Sequence, residues 1–146
     1  MNVVVVYESL TGNTRRAAEL IGGAAHASGA QVSVHALTAQ PVATLDLEAV
    51  AAADVIFVGT WVDGFVVFGM RPGRATRLRN LPVLDGKRVA VFCTYAVNPG
   101  RTLRKIASIL EAKGAAVVAS RAIKRTGIDE RAAAAFVDEV LAAIPA

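Results

Sequence analysis

The sequence contains few of the residues on which disulfide-bonded, metal-binding and membrane proteins depend. It has one cysteine, Cys93, and two histidines, His26 and His35, in 146 residues. These counts exclude an internal disulfide framework and disfavour a cysteine or histidine metal site, so we predict no metal. No apolar run reaches the roughly 18 residues that span a bilayer, and no basic segment precedes the first apolar run as in a signal peptide. We therefore expect a cytoplasmic protein without a membrane segment.

The residues that are abundant favour a folded domain. Hydrophobic residues make up 54% of the chain and charged residues 19%, a composition too apolar for a disordered chain. A length of 146 residues suits a single domain, and no linker or repeat divides it, so we predict one domain over residues 1–146. Cys93 ends an apolar run with no histidine near it in sequence. We interpret it as a buried apolar side chain and assign no catalytic residue.

Charge is distributed unevenly along the chain. Residues 1–70 hold two basic and six acidic residues, residues 71–146 hold fourteen basic and six acidic ones, and the net charge is +4. Such asymmetry indicates either an anionic partner for one face or a solvated basic surface, and the sequence leaves both open. The basic region lacks interleaved aromatic residues, which disfavours nucleic acid as the partner. The candidate basic residues are Arg71, Arg74, Arg77, Arg79, Arg101, Arg104 and Lys105.

Apolar runs and helical segments alternate along the chain. Short apolar runs predict strands at residues 2–7, 31–37, 55–58, 89–92 and 116–123. Polar N-cap residues and glycines delimit predicted helices at 15–27, opened by Asn13 or Thr14, and at 45–53, 74–80, 101–113 and 129–144, and we predict a long loop at 60–73. This alternation predicts an α/β fold of three layers, with a doubly wound, five-stranded parallel sheet between the helices. Ligands of such folds bind beyond the carboxyl ends of the strands, so the loops after the first, third and fourth strands form the candidate site.

The loop after the first strand has the composition of a phosphate site. Residues 9–14 read Ser-Leu-Thr-Gly-Asn-Thr and lead directly into a helix. Hydroxyl groups and the free N–H groups of a helix N-terminus can hold a phosphate monoester without a lysine. The spacing matches neither a Walker loop nor a dinucleotide-binding glycine pattern. The alternative is a polar loop that only caps the helix.

This loop resembles the phosphate-binding signature of the flavodoxins, a hydroxyl residue followed by x-Thr-Gly-x-Thr, and the resemblance extends from end to end of the chain. It implies the strand order 2-1-3-4-5 and non-covalent FMN as the cofactor. It also implies that Trp61 and Tyr95 each cover one face of the flavin, although either could instead pack in the core. Gly64 would permit the peptide flip by which flavodoxins present a carbonyl group to the flavin. The predicted cofactor-binding residues are Ser9, Leu10, Thr11, Gly12, Asn13, Thr14, Thr60, Trp61, Val62, Asp63, Gly64, Thr94, Tyr95, Ala96, Asn98 and Gly100.

The resemblance favours an electron carrier that passes electrons between a reductase and an acceptor protein by way of FMN. The expected partner is an acidic redox protein that docks near the flavin edge, and the oligomeric state stays open. One alternative is an FMN-dependent NAD(P)H:quinone oxidoreductase, in which the basic residues would receive the phosphate of the pyridine nucleotide. Another is a flavodoxin-like binding or regulatory module without FMN.

Two further features of the later sequence bear on this function. The apolar residues 65–70 either pack on the sheet or form a docking or dimer surface beside the flavin. Flavodoxins are typically acidic, whereas this chain has a pI of about 9.7. We expect its positive charge to stabilise the anionic reduced flavin and to select an acidic partner.

Overall fold

A parallel sheet lies at the centre of the molecule, and helices cover both of its faces. The computed structural model describes residues 1–37, 46–65 and 69–145. The strands are β1 (Asn2–Tyr7), β2 (Gln31–Ala36), β3 (Val55–Phe65), β4 (Gly69–Pro72), β5 (Arg88–Tyr95) and β6 (Ala116–Lys124). The helices are α1 (Asn13–Ala27), α2 (Leu47–Ala52), α3 (Ala75–Arg79), α4 (Thr102–Glu111) and α5 (Glu130–Ala142), with a 3₁₀ turn at Arg125–Gly127.

The order of the parallel strands confirms the predicted topology. β2, β1, β3, β5 and β6 lie side by side, which is the order 2-1-3-4-5 when only the parallel strands are numbered. The Val-rich strand β1 is buried on both faces, as its continuous apolar sequence predicts. Val3 and Val5 pack with α1 and α5, whereas Val4 and Val6 pack in the core that α2, α3 and α4 cover.

The predicted loop at residues 60–73 is wrong. β3 continues to Phe65, and β4 returns antiparallel to it, from Val62 opposite Pro72 to Phe65 opposite Gly69. Gly73 lies in the turn after β4 and also makes room for a neighbouring ring, because a Cβ at this position would clash with the indole of Trp61. The other predicted elements occur with ends that differ by up to three residues. Residues 66–68 of the apolar segment and the predicted helix start at residue 45 lie outside the described residues.

Candidate functional site

A cleft opens where the carboxyl ends of β1, β3 and β5 meet at one edge of the sheet. Parallel pairing aligns these ends, and it places Trp61 of β3 opposite Thr94 of β5. Three segments that are distant in sequence therefore meet at the position where α/β folds bind ligands. The residues that line the cleft are Ser9, Leu10, Thr11, Asn13, Thr14, Trp61, Val62, Thr94, Tyr95, Ala96 and Arg125. All of them except Arg125 belong to the predicted cofactor-binding set.

The loop after β1 turns sharply so that helix α1 begins at the cleft. Gly12 precedes the helix with a φ of 98°, a left-handed conformation that glycine adopts without strain. Its N–H donates a hydrogen bond to Oγ of Ser9 at 3.1 Å. Among the described residues, no side chain caps this N-terminus, nor those of α3 and α4, whereas Asp46 caps α2 and Asp129 caps α5. The N–H groups of the first turn of α1 therefore keep their capacity to bind an anion.

A buried pair of hydroxyl groups joins the first loop to the third. Oγ1 of Thr14 and Oγ1 of Thr94 share a hydrogen bond of 2.7 Å, and both side chains are buried. Thr14 is the second residue of α1 and Thr94 is near the end of β5. The hydrogen bond therefore fixes the start of the helix relative to the segment that carries Tyr95, and both walls of the cleft are set by the sheet.

Two half-buried aromatic side chains line the cleft on neighbouring strands. Trp61 lies in β3 and Tyr95 ends β5. Neither is packed fully in the core, and both border the cleft. A flat aromatic ligand could therefore contact an indole and a phenol ring in this cleft, an arrangement that ring stacking favours.

The six remaining predicted site residues lie around the cleft rather than along its wall. Gly12 forms the turn before α1, and Thr60 is buried, where its Oγ1 donates to the carbonyl oxygen of Gly73 at 2.8 Å. Asp63 faces Arg71 at 3.6 Å across the β3–β4 hairpin, and Gly64 pairs with Met70.

The last two of these residues belong to the loop after β5. The side-chain oxygen of Asn98 accepts a hydrogen bond from the N–H of Gly100 at 2.9 Å. Gly100 packs close to Met70, which connects this loop to the hairpin. As cofactor contacts, these six residues and the ten that line the cleft all stay predictions.

Arg125 is the lining residue that the sequence analysis missed. It follows β6, and we considered only the loops after the first, third and fourth strands. β6 pairs with β5 in parallel, up to Lys124 opposite Tyr95, so the residue after it reaches the same edge of the sheet. The strand order implied by the resemblance puts the fifth strand beside the fourth, and this was sufficient to predict that the residue after it lies near the cleft. Within the described part of the chain, Arg125 is the only charged residue on the cleft wall.

Several of the candidate basic residues make internal contacts. Arg74 and Arg77 form ion pairs with the buried carboxylate of Glu8 at 2.9 and 2.8 Å. Nζ of Lys105 donates to the carbonyl oxygen of Met70 at 2.8 Å. Arg79, Arg101 and Arg104 are exposed, and in residues 1–37, 46–65 and 69–145 no carboxylate pairs with them. The basic surface is therefore smaller than the sequence indicates.

Cys93 is a buried thiol in β5. Desolvation raises its pKa to about 12, so it is protonated at neutral pH and is a poor nucleophile. In the described ranges, no three His, Cys, Asp or Glu side chains come close enough to hold a metal ion. No helix in those ranges has the length and apolar character required to cross a membrane.

Comparison with known proteins gives one family. The flavodoxin domain family matches residues 4–138. No curated protein matches the chain in sequence. Among solved structures, the two-electron reduced flavodoxin of Megasphaera elsdenii is 27% identical, with a TM-score of 0.75 over 96% of this chain and 98% of that one.

Two further structures show the same fold at lower identity. The oxidised flavodoxin 2 of Bacillus cereus is 23% identical, with a TM-score of 0.70 over 97% of this chain and 99% of that one. The flavodiiron protein of Giardia intestinalis is 20% identical, with a TM-score of 0.65 over 97% of this chain but 36% of that one. Because the family match spans nearly the whole sequence, the chain belongs to the flavodoxin domain family, whose cofactor is FMN.

Proposed function

We propose that this protein is an electron carrier that holds FMN in the cleft at the carboxyl edge of the sheet. The observation that carries the proposal is the uncapped N-terminus of α1, which opens onto a cleft bordered by two aromatic side chains. A phosphate at one end and a flat ring at the other are the two features by which FMN is recognised. The residues present therefore fit this cofactor.

The phosphate end of the cleft is built from neutral groups. Ser9 and Thr11 supply hydroxyl groups, and the first turn of α1 supplies backbone N–H groups with the positive end of the helix dipole. The hydroxyl of Thr14 already bonds to Thr94, so we assign it to fixing the loop. This division of roles predicts that binding of the phosphate depends more on the backbone than on any single side chain.

The ring end of the cleft supplies stacking rather than acid–base groups. Trp61 and Tyr95 would contact the ring, and the parallel pairing of β3 with β5 places Trp61 opposite Thr94, next to Tyr95. FMN, when bound, supplies the one- or two-electron chemistry, so no side chain has to donate or accept a proton. The protein's own contribution is position, exclusion of water from the ring and the local charge.

The charge near the cleft supports an acidic docking partner. Arg101 precedes α4 and Arg104 lies in its first turn, where the helix dipole makes positive charge unfavourable. Both side chains are exposed at the same edge of the sheet as the cleft, because α4 follows the loop after β5. Positive charge that reduces helix stability at this edge supports a role in attracting an anionic partner.

The carrier and the enzyme alternative differ in how the bound flavin is reduced. NADPH is mixed anaerobically with the FMN-loaded protein, with and without an added flavodoxin reductase, and the flavin absorbance is followed. We expect rapid bleaching only when the reductase is present. Rapid bleaching by NADPH alone would contradict the carrier and would support the NAD(P)H-dependent oxidoreductase.

A further inference from the structure

A buried carboxylate lies directly before the phosphate loop and takes no part in the cleft wall. Among the described residues, Glu8 is the only charged residue that is buried. It follows the last residue of β1, and its backbone N–H donates to the carbonyl oxygen of Gly59 in β3 at 3.0 Å. A carboxylate without water needs charged partners, because its desolvation is unfavourable.

The partners of Glu8 come from the segment that follows the β3–β4 hairpin. Nη1 of Arg74 lies 2.9 Å from Oε2 of Glu8, and Nη1 of Arg77 lies 2.8 Å from Oε1 and 3.0 Å from Oε2. Both carboxylate oxygens are thus paired. We call these three residues the Glu8 cluster. It connects the start of the phosphate loop to residues 66 and 69 positions later in the chain.

The Glu8 cluster also touches the indole that borders the cleft. The guanidinium carbon of Arg74 lies 5.3 Å from the centroid of the Trp61 ring, within the range of a cation–π contact. The adjacent Gly73 packs against the same ring and donates its N–H to the carbonyl oxygen of Trp61 at 2.8 Å. Arg74 therefore contacts a carboxylate and an aromatic ring at once.

The backbone conformation of Arg74 indicates that its surroundings hold this residue in place. Its φ of 48° lies in the left-handed region, where a residue other than glycine is strained. Such strain persists only where the surroundings hold it, and the ion pair with Glu8 supplies that restraint. The restraint passes from the buried carboxylate to Arg74 and from Arg74 to the indole.

We infer that Glu8 and Arg74 are positioning residues that hold Trp61 as a fixed wall for a planar ligand. The inference deepens the proposed function and rests on it for the identity of the ligand, FMN. The Glu8 cluster fixes the distance between the phosphate loop and the indole. A free Trp61 would have to be ordered on binding, and this would weaken stacking on the ring without changing the contacts to the phosphate.

The position of Trp61 is tested first, without flavin. Trp61 is the only tryptophan of the chain, so its fluorescence reports on this one site. In the flavin-free full-length protein, we expect Glu8→Gln and Arg74→Asn to lower its anisotropy and to increase its quenching by acrylamide. Asparagine suits the Arg74 position, because it tolerates a positive φ. Glu19→Gln and Arg79→Asn, at exposed positions outside the Glu8 cluster, are the matched controls.

The effect on the ligand is tested second, with FMN and with riboflavin, which lacks the phosphate. We expect Glu8→Gln and Arg74→Asn to weaken both by a similar factor, about tenfold, because only the ring contact is affected. The ratio of the two dissociation constants should stay that of the parent. Loss of FMN affinity with riboflavin unchanged would overturn the inference, because the Glu8 cluster would then serve the phosphate loop.

The two measurements separate failure of this inference from failure of the proposed function. Unchanged Trp61 anisotropy and quenching in both variants would overturn the positioning role, whatever the ligand. If Glu8→Gln does not fold, Arg74→Asn decides, since Arg77 still pairs with the carboxylate there. If the parent binds neither flavin, the proposed function fails and the assignment of FMN falls with it. The fluorescence of the flavin-free variants still decides whether the Glu8 cluster holds Trp61.

Discussion

At the scale of single residues, the cleft is characterised by a lining that is almost uncharged. Ten of the lining residues are uncharged, and Arg125 supplies the one positive charge on the described wall. The neutral phosphate site that we propose would leave the net charge of bound FMN uncompensated. Arg125 is therefore the residue best placed to favour added negative charge when the flavin is reduced.

Replacing Arg125 tests this local charge. We expect Arg125→Gln to make the reduction potential of bound FMN more negative, by about 1 kcal/mol per electron, because the open cleft screens the interaction. Spectroelectrochemistry of the loaded protein measures the shift. Arg131→Gln removes the same charge from an exposed position on α5 and should change the potential much less. Equal shifts in the two variants would contradict a specific role for Arg125.

Cys93 gives a prediction for alkaline pH. Burial raises its pKa to about 12, so the folded protein keeps the thiol protonated while the unfolded chain ionises it. The stabilising contribution is complete below the unfolded pKa and is lost as pH rises through the folded one. Between about pH 9 and 12, the free energy of unfolding should therefore fall by up to about 1.4 kcal/mol per pH unit more than in Cys93→Ala. Parallel pH profiles for the two proteins, measured by urea unfolding, would contradict a buried thiol.

At the scale of elements, the two ends of α1 differ, because only its N-terminus borders the cleft. Its N-terminus follows Gly12 and opens onto the cleft without a side-chain cap. Its C-terminus is followed by Gly29, which also has a positive φ and lies at the end of the helix opposite to the cleft. A Cβ at either glycine would meet no atom within 4 Å, so substitution there affects only the backbone.

The two glycines that flank α1 provide a matched pair of variants. Gly12→Ala and Gly29→Ala should each lower the free energy of unfolding by about 1 kcal/mol, because alanine is strained at a positive φ. Only Gly12→Ala should also weaken FMN binding, since it tilts the N–H groups that meet the phosphate. Urea unfolding and FMN titration measure the two effects. Equal FMN affinities in both variants would place the phosphate elsewhere.

Local sequence signals predicted most helices and strands, but not the contacts between residues that are distant in sequence. The Val-rich run of β1 and the glycine after α1 were sufficient to place these elements, because each is determined by nearby residues. The β3–β4 hairpin was missed, since its pairing, from Val62 opposite Pro72 to Phe65 opposite Gly69, joins residues that are not neighbours in sequence. The Glu8 cluster was missed for a similar reason: Arg74 and Arg77 lie 66 and 69 residues after Glu8, and no local pattern links them to it.

At the scale of the whole molecule, exposed positive charge lies at the edge of the sheet that holds the cleft. Arg101 and Arg104 remain exposed there, whereas Arg74 and Arg77 share the carboxylate of Glu8, which offsets one of their two positive charges. The net charge of +4 alone would attract anions to any face. Arg101 and Arg104 pair with no carboxylate among the described residues, and their charge should steer anionic partners toward this edge.

A small anionic oxidant tests the steering without a natural partner. We expect ferricyanide to oxidise the reduced FMN-loaded protein more slowly as salt is added, because screening weakens the attraction. Arg104→Glu should slow the reaction at low salt about threefold more than Arg88→Glu, which makes the same change in net charge at the exposed start of β5, on the opposite edge of the sheet. Stopped-flow absorbance gives the rates. Equal rates for the two variants would contradict steering at this edge.

The central claim is that the cleft binds FMN against Trp61, and titration of the flavin-free protein tests it most directly. FMN is added while the fluorescence of Trp61, the sole tryptophan, is followed. We predict saturable quenching that ends at one FMN per chain, with riboflavin binding more weakly because it lacks the phosphate. Fluorescence that FMN leaves unchanged, or quenching in which riboflavin and FMN are equivalent, would contradict the account.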